Sequence, residues 1–365
     1  MTTQETSRSG RGYRVGVVGA DTKASWAQVS HIPAIQGLDS VVLAAVATRH
    51  EQSAREAAAA FGASQWFSDP FRMIADSSVD IVTVTVRVPA HRDLVLAALE
   101  AGKAVYCEAP LGVSLTEAKE IASAVRTQHH AIGLQGRLNP AVRRATRMVA
   151  DGVIGTPLNA RVVSTSLGFG PTTLSNYQYF EEMAAGANLL TITAGHTLDI
   201  VEAVLGDLVE IDARTATLWP QPTVADTGGT SRREVPDHVD VLARTTSGAV
   251  VTADIQGGVS PEDALFTLEL RGSDGWLKLT GGAIYGVQGA DLTLTSSVPF
   301  EAPEKPAVAG SLPGSALNVA EMYASLARDI EHGTFTTPGF DHGVHNSELI
   351  AAVAQAAETG RRWTA

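Results

Sequence analysis

In the segment Gly195-His196-Thr197-Leu198-Asp199 a histidine and an aspartate stand three positions apart, so a helix sets them side by side on one face. A neutral imidazole titrates near pH 6.5, about where a base must sit to take a hydroxyl proton at neutrality. Asp199 would orient that imidazole or stabilise its charged form. Hydride removal from a carbinol needs such a base and a nicotinamide facing the carbon. Tyr179 and Tyr177, in Asn176-Tyr177-Gln178-Tyr179-Phe180, would offer a phenol to substrate hydroxyls. Core packing is the competing reading for both tyrosines, and interdomain packing is the competing reading for His196. His129, His130, His342 and His345 have no carboxylate at metal-binding spacing, so no metal site is expected. The single cysteine, Cys107, can neither close an internal disulfide nor build a thiolate cluster.

A second group of residues suits a dinucleotide. The run Tyr13 to Val18 leads into Gly19, and the stretch from Gly16 to Trp26 keeps two glycines of a stretched G-x-G-x-x-G without the third. Glycine in such a turn lets the backbone approach a pyrophosphate seated at a helix start. Thr22, Lys23 and Ser25 would donate to phosphate oxygens in place of the lost glycine. Trp26 either packs near a nicotinamide or caps the helix. The next run ends Ala47-Thr48-Arg49-His50. Sites that prefer NAD place an acid here for the ribose 2′-hydroxyl, whereas Arg49 suits a 2′-phosphate. NADP is therefore the expected cofactor and NAD the alternative; a solvated helix-start arginine is the competing reading.

These groups need elements to hold them. From Tyr13 the chain alternates strand and helix: strands at Tyr13–Val18, Val41–Ala47, Val79–Val86 and Ala104–Cys107, and helices at Glu51–Phe61, His91–Ala101 and Leu115–Gln128. That alternation implies right-handed βαβ crossovers and a parallel sheet. Past Asp151 the pattern becomes strands joined by turn signals, over 158–166, 209–217, 238–245, 249–256, 265–271 and 275–280. A helix over Asn188–Leu205 precedes most of them, a loop spans Gly310–Gly314, and helices over Ala316–Glu331 and Val344–Thr359 finish the chain. The expected architecture is α/β followed by α+β: a dinucleotide-binding Rossmann domain over 13–140 and an α+β domain with a mostly antiparallel sheet over 141–365. Residues 1–12 are expected to be a flexible N-terminus.

The 365 residues carry 27 Lys+Arg and 39 Asp+Glu, a formal charge of −12. Such a chain repels phosphate backbones and anionic bilayers, so neither nucleic acid nor membrane is an expected partner. A hydrophobic share of 44% and mean hydropathy of +0.06 supply a core without a spanning segment. Met1 to Gly12 is polar and lacks an apolar leader core, which points to the cytoplasm.

Several motifs, in order over nearly the whole chain, resemble the glucose–fructose oxidoreductase/inositol dehydrogenase (Gfo/Idh/MocA) family. They are Val86-Arg87-Val88-Pro89-Ala90-His91, the stretch from Ala97 to Gly112 containing Glu108-Ala109-Pro110, Gln135 to Pro140, Gly152 to Gly155, and Ala357 to Arg362. Lys23 to Trp26, His31 to Gln36, Gly186 to Leu190 and Gly195 to Asp199 look most like the branch of the fungal galactose-regulon repressor and its bacterial relatives. The resemblance implies a Rossmann domain, a C-terminal open-faced sheet and a site between them. It also implies pairing through the sheet, as a homodimer or homotetramer. Val88, Pro89, His91, Glu108, Ala109 and Arg137 would face the cofactor, with Asn139 beside Arg137 in the cleft, and His196 matches the family's histidine.

Two departures stand out. The family's E-K-P lysine is Ala109 here, and the aspartate preceding the histidine is Thr191 or Ile192. A second Glu304-Lys305-Pro306 reads as coincidence, and neither Lys23 nor Lys103 is an evident substitute. Two functions follow from the resemblance. One is an NAD(P)-dependent oxidoreductase acting on a hydroxyl or keto group of a sugar, polyol or related small molecule. The alternative is a non-catalytic NAD(P)-binding regulatory protein.

Overall fold

Six short strands, all but the third rich in valine, isoleucine or alanine, form the first sheet: β1 (Tyr13–Val18), β2 (Val41–Ala47), β3 (Gln65–Phe67), β4 (Ile81–Val84), β5 (Ala104–Cys107) and β6 (His130–Ile132). The computed structural model describes residues 12–23, 25–308 and 311–365. Most of the terminal segment expected to be flexible, and part of the expected 310–314 loop, lie outside the described residues. The strands pair in the order 3-2-1-4-5-6, all parallel. In that order the chain reverses its direction of growth beside β1, and a crevice opens at the carboxyl ends of the strands, where open α/β sheets take ligands. Helices α1 (Trp26–Val29), α2 (His31–Gln36), α3 (Glu51–Phe61), α4 (Pro70–Ala75), α5 (His91–Glu100) and α6 (Leu115–Ser123) connect them. Helix α6 starts on Ser114, whose hydroxyl accepts from the Glu117 amide. It ends earlier than the expected Gln128, because the Gln128 carboxamide oxygen accepts from the amides of Arg126 and Thr127 and turns the chain.

After α7 (Pro140–Ala150) come β7 (Pro157–Thr165), β8 (Thr172–Thr173), α8 (Gly195–Leu205), β9 (Leu208–Ala216), β10 (Thr223–Val224), β11 (Gly229–Thr230), β12 (His238–Thr245), β13 (Val250–Gln256), β14 (Leu265–Gly272), β15 (Trp276–Gly282) and β16 (Thr293–Ser296). Two long helices, α9 (Gly314–His332) and α10 (Phe340–Thr359), and β17 (Trp363–Thr364) close the chain. The second sheet has eight strands in the order 16-15-14-7-13-12-9-17, with only β7 and β13 parallel. Period-two alternation puts Val162, Val241, Val251 and Leu268 under the helices and leaves Arg161, Leu242 and Thr252 on an uncovered face. The α/β plus α+β reading, with an open-faced sheet, is what the fold shows. Strands 8, 10 and 11 form a separate small sheet. Among the described residues no helix is long and apolar enough to cross a membrane.

The two long helices tie the layers together. Helix α9 returns to the first sheet, packing Val319, Met322, Tyr323 and Leu326 with Val15, Ile32 and Ile35. The turn after it is organised by Asp329, whose carboxylate accepts from Thr334 Oγ1 (2.6 Å), Thr336 N (2.9 Å), Thr336 Oγ1 (2.8 Å), Thr337 N (2.7 Å) and Thr337 Oγ1 (2.6 Å). These donors outweigh burial and hold the carboxyl down at about 2. Since the folded value lies below the unfolded one, the stabilisation is complete above about pH 4 and is lost as pH falls toward 2. Its size is about 2 kcal/mol. Asp329→Asn is therefore expected to lower stability at pH 7 and to flatten its decline between pH 4 and 2, measured by urea unfolding across that range.

Candidate active site

The crevice at the carboxyl ends of β1, β2, β4, β5 and β6 gathers most of the residues expected to meet a cofactor. Gly19 follows β1 with φ of 98°, a region that strains any residue with a side chain. A Cβ there would also lie 2.9 Å from Val86 Cγ1 and 3.0 Å from the Thr85 carbonyl oxygen. Gly16, by contrast, is a mid-strand glycine. Its missing Cβ makes room for Met73 and Val79, both 3.0 Å away, so it serves packing and lies outside the turn. The loop after Gly19 is shaped by Asp21, whose carboxylate accepts from the Lys23 amide at 2.7 Å. Ser25 donates to the Asp21 carbonyl and accepts from the Gln28 amide, so its hydroxyl is spent on capping α1. Thr22 and the exposed Lys23 remain on the rim. The Trp26 indole N–H is buried without a hydrogen-bond partner, while its ring meets Tyr285 edge-on at 6.1 Å. At the end of β2, Thr48 bonds Ser53, and Arg49 is exposed.

The turns after β4 and β5 face each other across the crevice. His91 is buried between them, with Nε2 3.0 Å from the Val86 carbonyl and Nδ1 3.1 Å from the Pro110 carbonyl. Burial keeps this imidazole below the usual histidine range. The expectation that His91 faces a ligand is corrected: both nitrogens are used to bind the two turns together. Val88 lies beneath and Pro89 is exposed on the rim. In the Glu108-Ala109-Pro110 turn, Glu108 Oε1 is 2.8 Å from Nε2 of His31, a fully buried ring at the start of α2. His31 Nδ1 lies 2.9 Å from the Tyr323 hydroxyl, which is 2.8 Å from Thr83 Oγ1. Gly133 permits this arrangement, since a Cβ on it would come within 2.8 Å of Glu108 Cα. Lys103 donates to the carbonyls of Asp76 and Val79 below the sheet, at the far ends of the strands, and does not replace the absent lysine.

His196 comes from the second layer. The helix carrying it opens with a wide π turn over Leu190–Ala194, capped by the Asn188 side chain, before α8 begins. Such turns concentrate at functional sites. Thr197 then bonds Ser164 of β7, and the Gly195 carbonyl accepts from Asn346 of α10, so His196 is held from both sides. Its ring is 3% exposed and Nδ1 has no partner. Burial lowers its pKa, opposed first by the charge of Glu108 and then by that of Asp199.

Asp199 does not hydrogen-bond His196 as its spacing suggested. Its Oδ1 is 3.0 Å from Arg137 and 2.6 Å from His342 Nε2, and Arg137 and His342 also touch. The absence of carboxylates near His342 and His345 in the sequence is likewise overturned by tertiary pairing, since His345 Nε2 is 2.8 Å from Glu202. Asn139 is buried and spent: it caps α7 and donates to Asn318.

Tyr179 sits in a short helical turn, Ser175–Glu181, with the Arg87 guanidinium 4.2 Å from its ring centroid. Burial raises its phenol to about 12 despite Arg87, so at neutral pH it is a donor and not a base. The turn is anchored by Arg233, which is fully buried. It donates to Glu181 through Nε (2.5 Å), to Asp237 (2.8 Å), and to the carbonyls of Phe169 (2.7 Å) and Gly170 (2.9 Å). Sequence reasoning gave no role to His31, Tyr323, Arg87 or Arg233 and weighed His342 only as a metal ligand. His31 and Arg87 lay within quoted motifs, but the partners that define them are remote in the chain, as are those of Tyr323 and His342, while Arg233 has one local partner in Asp237.

Residues 13–135 match the family described as oxidoreductase family, NAD-binding Rossmann fold, and residues 140–281 match the Gal80p C-terminal domain. A 1,5-anhydro-D-fructose reductase of Ensifer adhaerens is 30% identical over 267 residues, covering 72% of this chain and 74% of that protein. Among solved structures, a super-repressor mutant of Gal80p from Saccharomyces cerevisiae superimposes with a TM-score of 0.83 at 22% identity, covering 97% and 98% of the two chains. Levoglucosan dehydrogenase in complex with NADH and levoglucosan superimposes with a TM-score of 0.81 at 21% identity, covering 97% and 99%.

Proposed function

The chain belongs to the Gfo/Idh/MocA oxidoreductase family, in the branch close to Gal80 and the bacterial sugar dehydrogenases, and from that premise we propose that it is an NADP-preferring oxidoreductase for a hydroxyl or keto group of a sugar or polyol. The observation that carries this reading is the His196 ring: buried, with an unpartnered nitrogen, and fixed by two neighbouring elements. A buried polar atom left without a partner costs free energy unless a ligand or water completes it. Two of the relatives named above, a 1,5-anhydro-D-fructose reductase and a levoglucosan dehydrogenase, carry carbohydrate-like substrates in their names, which supports the substrate class.

The residues present fit a dinucleotide. Left-handed Gly19 stands at the switch point, the Trp26 N–H is unpartnered, and Arg49 is exposed at the end of β2. Gly19, Thr22, Lys23 and Trp26 would hold the first half, Thr48 and Arg49 the ribose and its phosphate, and Val88, Pro89, Glu108 and Ala109 the nicotinamide side. Bound there, NAD(P) supplies the hydride acceptor or donor. His196 takes or returns the hydroxyl proton, and Tyr179 donates to a substrate oxygen. Arg137 and Asp199, neutralising each other, shape the cleft wall.

Incubation with a panel of sugars and polyols and either NADP⁺ or NAD⁺, followed by nicotinamide absorbance, tests the reading. Substrate-dependent reduction is expected, faster with NADP⁺. Binding of the cofactor with no reduction across the panel would favour the second reading, a regulatory protein, which the alanine at position 109 supports. Arg49→Ala is expected to raise KM for NADP⁺ by about tenfold or more, a charge-assisted bond being worth about 1.5–3 kcal/mol. KM for NAD⁺ should stay unchanged; equal effects on both would remove Arg49 from the site. The open face of the second sheet, with Leu242 and Val250 exposed, supports self-association as a homodimer or homotetramer, read by light scattering.

A further inference from the structure

We propose that Glu202, Asp207 and His345 form a binding site for one divalent transition-metal ion of the zinc class, at the C-terminal end of α8. The site shares no residue with the cofactor crevice and stands independently of the oxidoreductase reading.

Folding supplies what the sequence around His345 lacks. Helices α8 and α10 are joined where Asn346 donates to the Gly195 carbonyl at 3.0 Å. Asp199 and Glu202, three positions apart on α8, meet His342 and His345, three apart on α10, at 2.6 and 2.8 Å. Arg137 brings a cation to the first pair. No arginine or lysine pairs with Glu202 among the described residues; a second carboxylate arrives instead. Helix α8 stops at Leu205, and Gly206, with φ of 83°, turns the chain so that Asp207 comes back beside Glu202. The turn is pinned, since the Asp207 carbonyl accepts from the Thr246 amide at 2.9 Å and the Leu208 amide donates to Glu202 Oε1 at 3.0 Å.

One ligand atom from each of the three side chains lies within 4.8 Å of the other two. Around a tetrahedral ion with bonds of about 2.0–2.2 Å, ligand atoms stand roughly 3.4 Å apart. The His345–Glu202 contact of 2.8 Å needs to open by only about 0.6 Å. Asp207 is exposed, and its carboxylate makes no hydrogen bond among the described residues, so it is free to rotate in.

The donor set is selective. Two carboxylates and an imidazole suit zinc, whereas magnesium and calcium take oxygen ligands. The two negative charges balance a divalent ion, and the last carbonyls of α8 add to the negative potential. Binding displaces the hydrogen between Nε2 and Glu202, to Nδ1 or to water. No buried group loses a partner: Glu202 keeps the Leu208 amide on Oε1 and exchanges His345 for the ion on Oε2. The His345 side chain is 41% exposed, which gives the ion an entry path and room for water as a fourth ligand. The bound ion fastens α8, which carries His196, to α10 and the start of β9.

A second group, His238, Asp240 and Asp254 on the open sheet, is less suited, because both Asp254 oxygens already accept from Gln256, at 2.9 and 2.8 Å. It provides the control. Full-length protein without an affinity tag, treated with chelator, is titrated with Zn²⁺ by calorimetry and with Co²⁺ by visible d–d absorbance. One equivalent of each is expected to bind in the micromolar range, and saturating Zn²⁺ should raise Tm by several degrees. Asp207→Asn alters an exposed side chain, so the fold is retained; it should weaken Zn²⁺ binding by about tenfold or more. His345→Gln should weaken it further and alter the Co²⁺ bands, while Asp254→Asn should leave both unchanged. Failure to bind either ion, wild-type affinity in Asp207→Asn or in His345→Gln, or loss of binding in Asp254→Asn would overturn the assignment. None of these readouts involves turnover, so the oxidoreductase reading stands or falls separately.

Discussion

Replacing His196 by alanine is expected to lower kcat by about 10²- to 10⁴-fold, the usual contribution of a positioned acid or base, while the Kd for NADPH, followed by nicotinamide fluorescence, stays within about twofold. The separation is expected because His196 belongs to α8, whereas the proposed cofactor residues lie on the first sheet and its loops. The same group sets the pH dependence. Burial lowers the pKa of the ring, so its neutral form persists to a pH lower than for a free histidine. Oxidation, which needs the neutral base, should keep its kcat/KM to a lower pH than a free histidine would allow and fall only below that. Reduction, which needs the protonated ring, should weaken as pH rises through the same interval. An acid limb above pH 7 for oxidation, or unchanged turnover in the alanine variant, would take His196 out of the chemistry.

Arg233→Met carries the largest expected effect on stability. The guanidinium is the sole cation paired with Glu181 and Asp237 among the described residues, and both carboxylates are at most 2% exposed. Removing it leaves two buried charges uncompensated, which costs about 3–5 kcal/mol for a broken pair. It also frees the carbonyls of Phe169 and Gly170, and Phe169 holds a left-handed φ of 65° that a non-glycine residue tolerates only when its surroundings enforce it. A drop in Tm of roughly 10 °C follows at about 2–4 °C per kcal/mol for a chain of this size. Because the clamp anchors the turn that carries Tyr179, substrate KM should rise under conditions where the variant is still folded. Arg233→Lys restores the charge without the fork and should recover only part of the loss. A Tm within 2 °C of wild type would show that the cluster rearranges at little cost.

Local pattern was enough for the elements that satisfy themselves locally. The bounds of β1, β2, β5, α3 and β12 agree with the sequence reading, since each is a mostly apolar run, an alternating apolar–polar strand or an alanine-rich helix that its own residues mark out. Strands β3 and β6 were not foreseen, because three residues at a sheet edge carry no period to read. The cofactor crevice was legible for a similar reason: Gly19 and Arg49 sit at strand ends, and strand ends can be counted. The partners of His196 were not. The i,i+3 spacing that suggested Asp199 is a helical neighbourhood, yet Arg137 reaches Asp199 from the short turn Gln135–Leu138 and His342 from α10, 62 and 143 residues away. Likewise, no local rule links His31 to Tyr323 across 292 residues.

The return of α9 to the first sheet has a consequence for synthesis on the ribosome. Val15, Ile32 and Ile35 are covered in part by Val319, Met322 and Tyr323, residues that are made long after β6 is complete. At about 5–20 residues per second, the roughly 180 residues between Ile132 and Gly314 delay that cover by roughly 10–40 s. During that interval an otherwise complete nucleotide-binding sheet presents a bare apolar side to the cell. The nascent chain is thus a natural client for chaperones, and a fragment ending before α9 would keep that side uncovered for good.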